Sequence, residues 1–464
     1  MSRRRRLEPA APPLSELPPR TAPLPRVWRL VIAATLAGYL LLAGGHAHTT
    51  PVAPDSSLNF INAPDEAAHL KYVQALAEAG RAPVRDDPRF PTYEWHQPPL
   101  YYLLAAPLYP AGPLAVRWLS VVLGMLSLLV VLRAARILHP EDPHIAALAV
   151  GLAALIPMRQ AVMASAGNDS LTELLFCASL LSLLLVLSNG ATPRTALPAG
   201  AAVGAALLTK ASGILLVPVG LAAFFLAGRE GDMRLAVRSA GVFLLAVLVL
   251  NVGWAARNMR LYGEAAPLRA FAREFEGTSK ASDWIGRQPL RVDAWTGALE
   301  ASPEPMDRAG YLRLVASWTF RTFWGAYTPN DERARLGVPV FMPPPFYVPG
   351  LAAALAGASG LALTLGRRGR LAGLRARGAW LLLGAAGLVA ASFLAFVWQY
   401  FQAQGRYLYP ALLPLALLGA AGIQALVPHR WRGPAVGLVL AVFGLLSLAF
   451  LVAGVLPAYS GGER

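Results

Sequence analysis

The chain reads as an all-α polytopic membrane protein of about eleven transmembrane helices, with two long extracytoplasmic loops bearing short in-plane helices. Three observations predict this. The 464 residues are 56% hydrophobic and only 14% charged, where a soluble protein carries about 25% charged residues. Apolar runs near the roughly 20 residues needed to cross a bilayer recur along most of the sequence. The arginines fall into alternate connections between those runs, as the positive-inside rule requires. A net charge of +15 in a soluble protein would suggest nucleic acid. Here topology accounts for it, and no nucleic-acid partner is expected.

Residues 1–26, with arginines at 3–6 followed by repeated prolines, cannot bury a core and are expected to form a disordered cytoplasmic tail. The apolar stretch 27–45 is long for a cleaved signal peptide and many spans follow, so it reads as a retained first helix. Further spans are expected near 114–133, 144–158, 170–188, 196–211, 212–227, 235–255, 347–365, 379–398, 407–426 and 434–456. Together these make a transmembrane domain over 27–456, with a short extracytoplasmic tail at 457–464. With the N-terminus inside, the inside connections hold Arg133 and Arg136, Arg194, Arg229 with Arg234 and Arg238, the arginines of 367–377, and Arg430 with Arg432. The other side then receives the long loops 46–113 and 256–346. The stretches 98–109 and 317–327 are short or aromatic, and are expected to lie in the interface. Lysine stands only at positions 71, 210 and 280, and the Arg- and Ala-rich composition suggests a GC-rich bacterial genome. The single cysteine, Cys177, excludes an intrachain disulfide.

Several polar residues stand out on the outer face. A helix is expected over 64–79, with Asn62 as a plausible cap and Pro64 in the first turn. It places Asp65 and His69 on one face, with Glu66 beside them. Asp65 and Glu66 either complement the helix dipole or supply a general base. His96, in Glu94-Trp95-His96-Gln97-Pro98-Pro99, lies where two prolines fix the re-entering chain. Asn168-Asp169 precedes a span, where Asp169 or Ser170 also makes an ordinary N-cap. Lys210 stands between two apolar spans with almost no polar loop around it, and an ionisable group at such depth is usually paired or functional. Arg257 and Arg406 oppose the positive-inside trend. Each is either an interface anchor or a guanidinium fork for phosphate. Ligand spacing tight enough for a metal is lacking, so no cofactor is expected. A divalent metal among Asp65, Glu66, His69 and His96 is the open alternative.

Taken together, Pro64-Asp65-Glu66…His69, His96-Gln97-Pro98-Pro99-Leu100-Tyr101-Tyr102, Gly167-Asn168-Asp169, Leu208-Thr209-Lys210-Ala211-Ser212-Gly213, Arg257-Asn258…Tyr262-Gly263 and Gln404-Gly405-Arg406-Tyr407-Leu408…Pro410 resemble a known set. They are similar to the motifs of the C-type (GT-C) membrane glycosyltransferases that use polyprenyl-phosphate sugars, nearest to the protein-mannosyltransferase and aminoarabinose-transferase group. The resemblance runs from residue 27 to about 425. It departs at His96-Gln97-Pro98-Pro99, where the group often has His-Pro-Pro, and in having no soluble domain after Tyr459. It implies Asp65, with Glu66 beside it, as catalytic base. It also implies Lys210, Arg257 and Arg406 as holders of the carrier phosphate, with His69, His96, Asn168, Asp169 and Tyr407 completing the substrate site. The implied partners are a polyprenyl-phosphate sugar, a glycan, lipid or protein acceptor, and membrane lipid. The implied location is the inner membrane of a bacterial cell envelope, with the site extracytoplasmic. Transfer would invert the anomeric centre. The alternatives are a flippase or transporter of lipid-linked sugars, and a ligase or polymerase of lipid-linked glycans. A transporter is expected to hold its buried charges near the midplane, whereas these residues cluster at the outer ends of spans.

Overall fold

The computed structural model describes residues 23–293, 297–366 and 372–460. Most of the basic tail, Trp295, part of the 367–377 connection and the end of the C-terminal tail lie outside the described residues. Among the described residues, nine helices are long and apolar enough to cross a membrane, from Arg26–Thr49 to His429–Ser460. Almost all the rest is short helix and loop; the strands form two small antiparallel pairs, Leu290–Val292 with Leu299–Ala301 and Ala326–Tyr327 with Val340–Phe341.

Two of the eleven expected spans are short helices. The stretch at 196–211 holds Pro193–Leu207, capped by the reciprocal Thr192 and Thr195 hydroxyls. The stretch at 144–158 is broken: Pro143–Ala154 ends, Ile156 adopts an extended conformation, and Pro157–Val162 begins anew. Pro157 explains the break, since it lacks an N–H and disfavours helix at the preceding residue. Gln160 Nε2 donates to the Ala154 carbonyl at 2.9 Å, recovering a backbone acceptor freed there. Buried in the same region is Arg159, which donates to Glu173 at 2.5 Å and 2.9 Å, and to Ser127 and the Gly124 carbonyl.

Close helix contact depends on small residues, as expected where apolar surface faces lipid rather than water. Val348–Gly366 packs on Leu412–Leu426 so tightly that a Cβ at Gly360 would collide with the Gly422 carbonyl. The expected basic connections gather at one end of the helices, where Arg375 pairs with Glu141, Arg377 with Glu230 and Arg432 with Asp142. A cavity of about 680 Å³ opens at this end, lined by His139, Asp142, His144, Gln424 and Arg432 among others.

The two long loops lie at the other end. In the first, the expected helix over 64–79 spans Glu66–Ala79. Asn62 is not its cap: it donates to Thr50 and accepts from Thr328 N and Tyr459 Oη, tying three segments together. Asp65 takes the cap position in a left-handed conformation, φ 59°, without a side-chain capping bond. The stretch 98–109 forms the short helices Leu100–Ala105 and Ala106–Ala111. In the second loop, the aromatic stretch belongs to a longer helix, Arg308–Trp324, and Tyr327 falls in a strand.

Candidate active site

Five chain segments meet where the first loop covers the ends of the long helices. Asp65 and His69 come from the start of Glu66–Ala79, and Tyr93 and Glu94 from the turn Tyr93–His96. Asn168 and Asp169 open the helix Asp169–Asn189. Lys210 comes from the break after Pro193–Leu207, and Arg406 with Tyr407 from the start of Gly405–Leu426. The break that presents Lys210 needs Gly213, where a Cβ would sit 2.4 Å from the Leu207 nitrogen.

Arg406 is the hub. Its Nη2 donates to Asp65 Oδ2 at 2.5 Å, its Nη1 to Asp169 Oδ2 at 3.0 Å, and its Nε to Gln404 Oε1 at 2.7 Å. Lys210 Nζ donates to the other Asp169 oxygen at 2.5 Å. Tyr407 lies beneath both cations, its ring centroid 5.0 Å from the Arg406 guanidinium and 5.8 Å from Lys210 Nζ, distances suited to cation–π attraction. Tyr93 Oη donates to Asp65 Oδ1 at 2.8 Å, and Asn59 reaches the same oxygen at 3.5 Å. The result is an alternating row, Asp65–Arg406–Asp169–Lys210. Arg406 is the most enclosed of the four, its side chain 5% exposed against 14–19% for the others. Arg406 spends its nitrogens on protein acceptors, whereas an ammonium has three donors and Lys210, 19% exposed, makes one hydrogen bond among the described residues, to Asp169.

A second, deeper shell backs this row. His69 Nδ1 is 2.8 Å from Tyr102 Oη, and the Tyr102 ring stacks on Tyr72 at 3.7 Å. Asn168 joins two loops by donating to Gln97 Oε1 at 3.1 Å and the Thr209 carbonyl at 3.4 Å. His96 adjoins the site, its Nδ1 2.9 Å from the Tyr93 carbonyl and its ring edge-on to Phe271. Burial lowers its pKa to about 4, which keeps it neutral.

The carboxyls titrate in opposite directions. Burial pushes Asp65 up, but the Arg406 guanidinium, aided by His69 and the Tyr93 hydroxyl, more than offsets it and leaves the group below the usual carboxylate range. For Glu94, burial dominates and the Asp65 charge adds to it; His69, Gln97 and Lys210 oppose this, and the net direction is upward. Burial also lowers His69, against the nearby carboxylates. Asp65, His69 and Glu94 present ligand atoms within 4.8 Å of one another, a spacing compatible with a cation. Both Asp65 oxygens are already hydrogen-bonded, so a cation there would compete with Arg406 and Tyr93.

Two candidate residues do not join the cluster. Glu66 turns away and meets Arg117 in a buried pair, with contacts of 2.5 and 2.8 Å, and also accepts from Ala166 N at 2.7 Å. Arg117 spends its remaining donors on the Ala47, Thr50 and Pro51 carbonyls. Arg257 stacks on Trp254 and donates to the Pro83 carbonyl at 2.7 Å, holding the far end of the first loop. Conversely, Glu94, Tyr93 and Tyr102 belong to the site, although the sequence reading gave them no role. Glu94 stood inside a quoted motif, but nothing in its spacing showed that it points inward.

A family model described as dolichyl-phosphate-mannose-protein mannosyltransferase matches residues 96–254. That segment contains Asn168, Asp169 and Lys210 but neither Asp65 nor Arg406. Among solved structures, ArnT from Cupriavidus metallidurans in the apo state is similar with TM-score 0.55 and 15% identity, over 93% of this chain and 77% of that one. The same protein bound to undecaprenyl phosphate gives TM-score 0.52 and 15% identity, over 93% and 73%. The Archaeoglobus fulgidus oligosaccharyltransferase, in complex with Zn and sulfate, gives TM-score 0.53 and 15% identity over 94% of this chain, which spans 54% of its length. No curated protein sequence matches the chain. At these identities the shared property is the fold, a polytopic helical one of the C-type glycosyltransferase kind.

Proposed function

We propose that this chain is an integral-membrane glycosyltransferase that moves a sugar from a polyprenyl-phosphate donor to an acceptor hydroxyl. The carrying observation is the row Asp65–Arg406–Asp169–Lys210: two anions and two cations from distant segments, aligned at the helix ends and partly open. A sugar on a polyprenyl phosphate already has a good leaving group, so the chemistry asks for a base and a cationic clamp. Asp65 accepts the hydrogen bond of the acceptor hydroxyl and takes its proton. The acceptor oxygen attacks the anomeric carbon from the side opposite the phosphate, inverting the centre. Lys210, with donors to spare, stabilises the departing phosphate, while Arg406 holds Asp65 in place and adds positive potential.

The arginine-rich opposite end supports a cytoplasmic N-terminus and an extracytoplasmic site in a bacterial inner membrane. Phe271 and Phe275, which lie over His96 and Tyr93, form a wall of the second loop against which an acceptor can rest. The acceptor classes that fit are glycan, lipid or protein hydroxyls. The reaction so written asks for no resident cofactor, with a divalent metal at Asp65, His69 and Glu94 as the alternative.

The test is transfer from defined polyprenyl-phosphate sugars by the purified protein, with Asp65→Asn alongside. Sugar transfer by the wild type and its loss in the variant are expected. Movement of intact lipid-linked sugar across vesicles without transfer would instead favour a flippase, and glycan elongation would favour a ligase or polymerase.

A further inference from the structure

The cavity at the arginine-rich end lies opposite the Asp65–Arg406 row and takes no part in the chemistry proposed there. Its volume of about 680 Å³ falls within the range of small-molecule sites, about 300–1,000 Å³. Leu361, Leu418 and Ala421 give it an apolar wall. Besides three histidines, the charged side chains lining it are Arg375, Arg432, Glu141 and Asp142. These pair among themselves: Arg375 with Glu141, and Arg432 Nη1 with Asp142 Oδ2 at 3.2 Å. Two lining groups stand outside that pairing. Gln424 is 1% exposed, and neither its Oε1 nor its Nε2 has a hydrogen-bond partner among the described residues. Arg432 Nε is buried in the same condition. A buried donor or acceptor without a partner costs free energy, and each such group in a folded protein calls for an explanation.

We infer that this cavity binds the headgroup of an aminophospholipid, with the phosphate held by Arg432 and the Gln424 amide nitrogen, and the ammonium by the Gln424 oxygen. The buried polar atoms without partners set the chemistry of the ligand. Arg432 Nε and Gln424 Nε2 are donors and call for an acceptor oxygen, and a guanidinium suits phosphate. Gln424 Oε1 is an acceptor and calls for a donor on the same molecule. The two lining arginines balance the two lining carboxylates, so a zwitterion enters without leaving an unpaired buried charge, which a bare anion would do. Its ammonium also finds Glu141 and Asp142 on the same lining. The apolar wall receives the glycerol and the first methylenes of the acyl chains. In the orientation proposed above this end lies at the cytoplasmic leaflet, where basic pockets between spans take phospholipid headgroups. A lipid seated there touches the ends of Val348–Gly366, Leu412–Leu426 and Gly373–Gln399 together. The inference rests on that orientation and not on the transfer chemistry.

The experiment is native mass spectrometry of the full-length protein, stripped of lipid in detergent and titrated with phosphatidylethanolamine or with phosphatidylcholine of the same acyl chains. Choline keeps the phosphate and the positive charge but has no N–H to donate. The wild type should bind the ethanolamine lipid about tenfold more tightly than the choline lipid. Gln424→Leu should abolish that preference, and Arg432→Gln should weaken both lipids, since both carry the phosphate. Leu361→Trp fills the cavity from its apolar wall and should lower the occupancy of both; it serves as the test if Gln424→Leu does not fold. Equal affinity of the wild type for the two lipids overturns the inference, as does an unchanged preference in folded Gln424→Leu. So does undiminished binding in folded Leu361→Trp. Free phosphoethanolamine should not displace the lipid at comparable concentration; displacement would assign the cavity to a soluble ligand and overturn the membrane source. Sugar transfer is not the readout, so failure here leaves the transfer reading intact.

Discussion

Asp65 and Glu66 are adjacent in the chain and end in opposite electrostatic surroundings. Asp65 keeps part of its side chain exposed and shares Arg406 with Asp169, which in turn shares itself with Lys210. Glu66 faces the interior and matches a single arginine, Arg117, whose other donors are spent on backbone carbonyls. Arg159 and Glu173 repeat the second pattern, both fully buried. A private pair fixes geometry, whereas a shared row at a solvent boundary can exchange one partner for a ligand. That difference separates structural charge from functional charge in this protein.

Removing the proposed base of the row should have the largest effect. Asp65→Asn keeps the shape of the side chain and should cost about 10³-fold in kcat, while the thermal midpoint in detergent falls only modestly. Wild-type turnover in that variant would erase the distinction between the two acids. Glu66→Gln should do the reverse. Leaving Arg117 without its carboxylate should cost about 3–5 kcal/mol, read as a lower unfolding midpoint, with kcat per folded molecule preserved. Replacing both Glu66 and Arg117 by methionine should restore much of that stability, since an apolar pair of similar volume often substitutes for a buried ion pair.

Lys210→Met should raise the donor KM about 10–100-fold, with Lys210→Arg milder, because phosphate recognition depends on a cation there. If the donor KM does not change in a folded Lys210→Met protein, the phosphate role falls. Arg257→Gln tests the other side of the comparison, since Arg257 holds loop carbonyls and not the row. Its transfer rate should stay within about threefold of wild type. The smallest effect concerns pH. Arg406 holds the Asp65 carboxyl low, so this contribution to stability is present above the unfolded value of about 3.9 and is lost as pH falls through the folded one. Denaturant titrations should therefore show the gap between wild type and Asp65→Asn closing in acid.

How much of the site could be read in the sequence follows from what each residue needed. Lys210 was legible because a lone lysine between apolar spans is costly anywhere, and Arg406 because it opposed the arginine pattern. Asp65 and Glu66 could not be told apart: a residue at a helix start points toward the opening or the interior according to a local turn, here the left-handed backbone at Asp65. Arg257 carried the same signal as Arg406 and met a different partner. Glu94 was invisible as a site residue because its burial beside Asp65 and His69 is created only by packing. Pro157 was in plain view in the expected span at 144–158, yet the break it makes appears only once Gln160 is seen to recover the freed carbonyl.

By itself, then, the sequence determined the helical, membrane-crossing fold class and the residues whose charge had to be explained. Hydropathy and charge excess are local properties, summed along a segment, and the bilayer reads them that way. Only the tertiary structure decided that Asp65 meets Arg406, 341 positions away, while its neighbour meets Arg117. It also decided that Glu94 lies buried beside Asp65 and His69. Coulomb and hydrogen-bond energies depend on distances of a few ångströms between distant segments, and those distances exist only after the helices have packed.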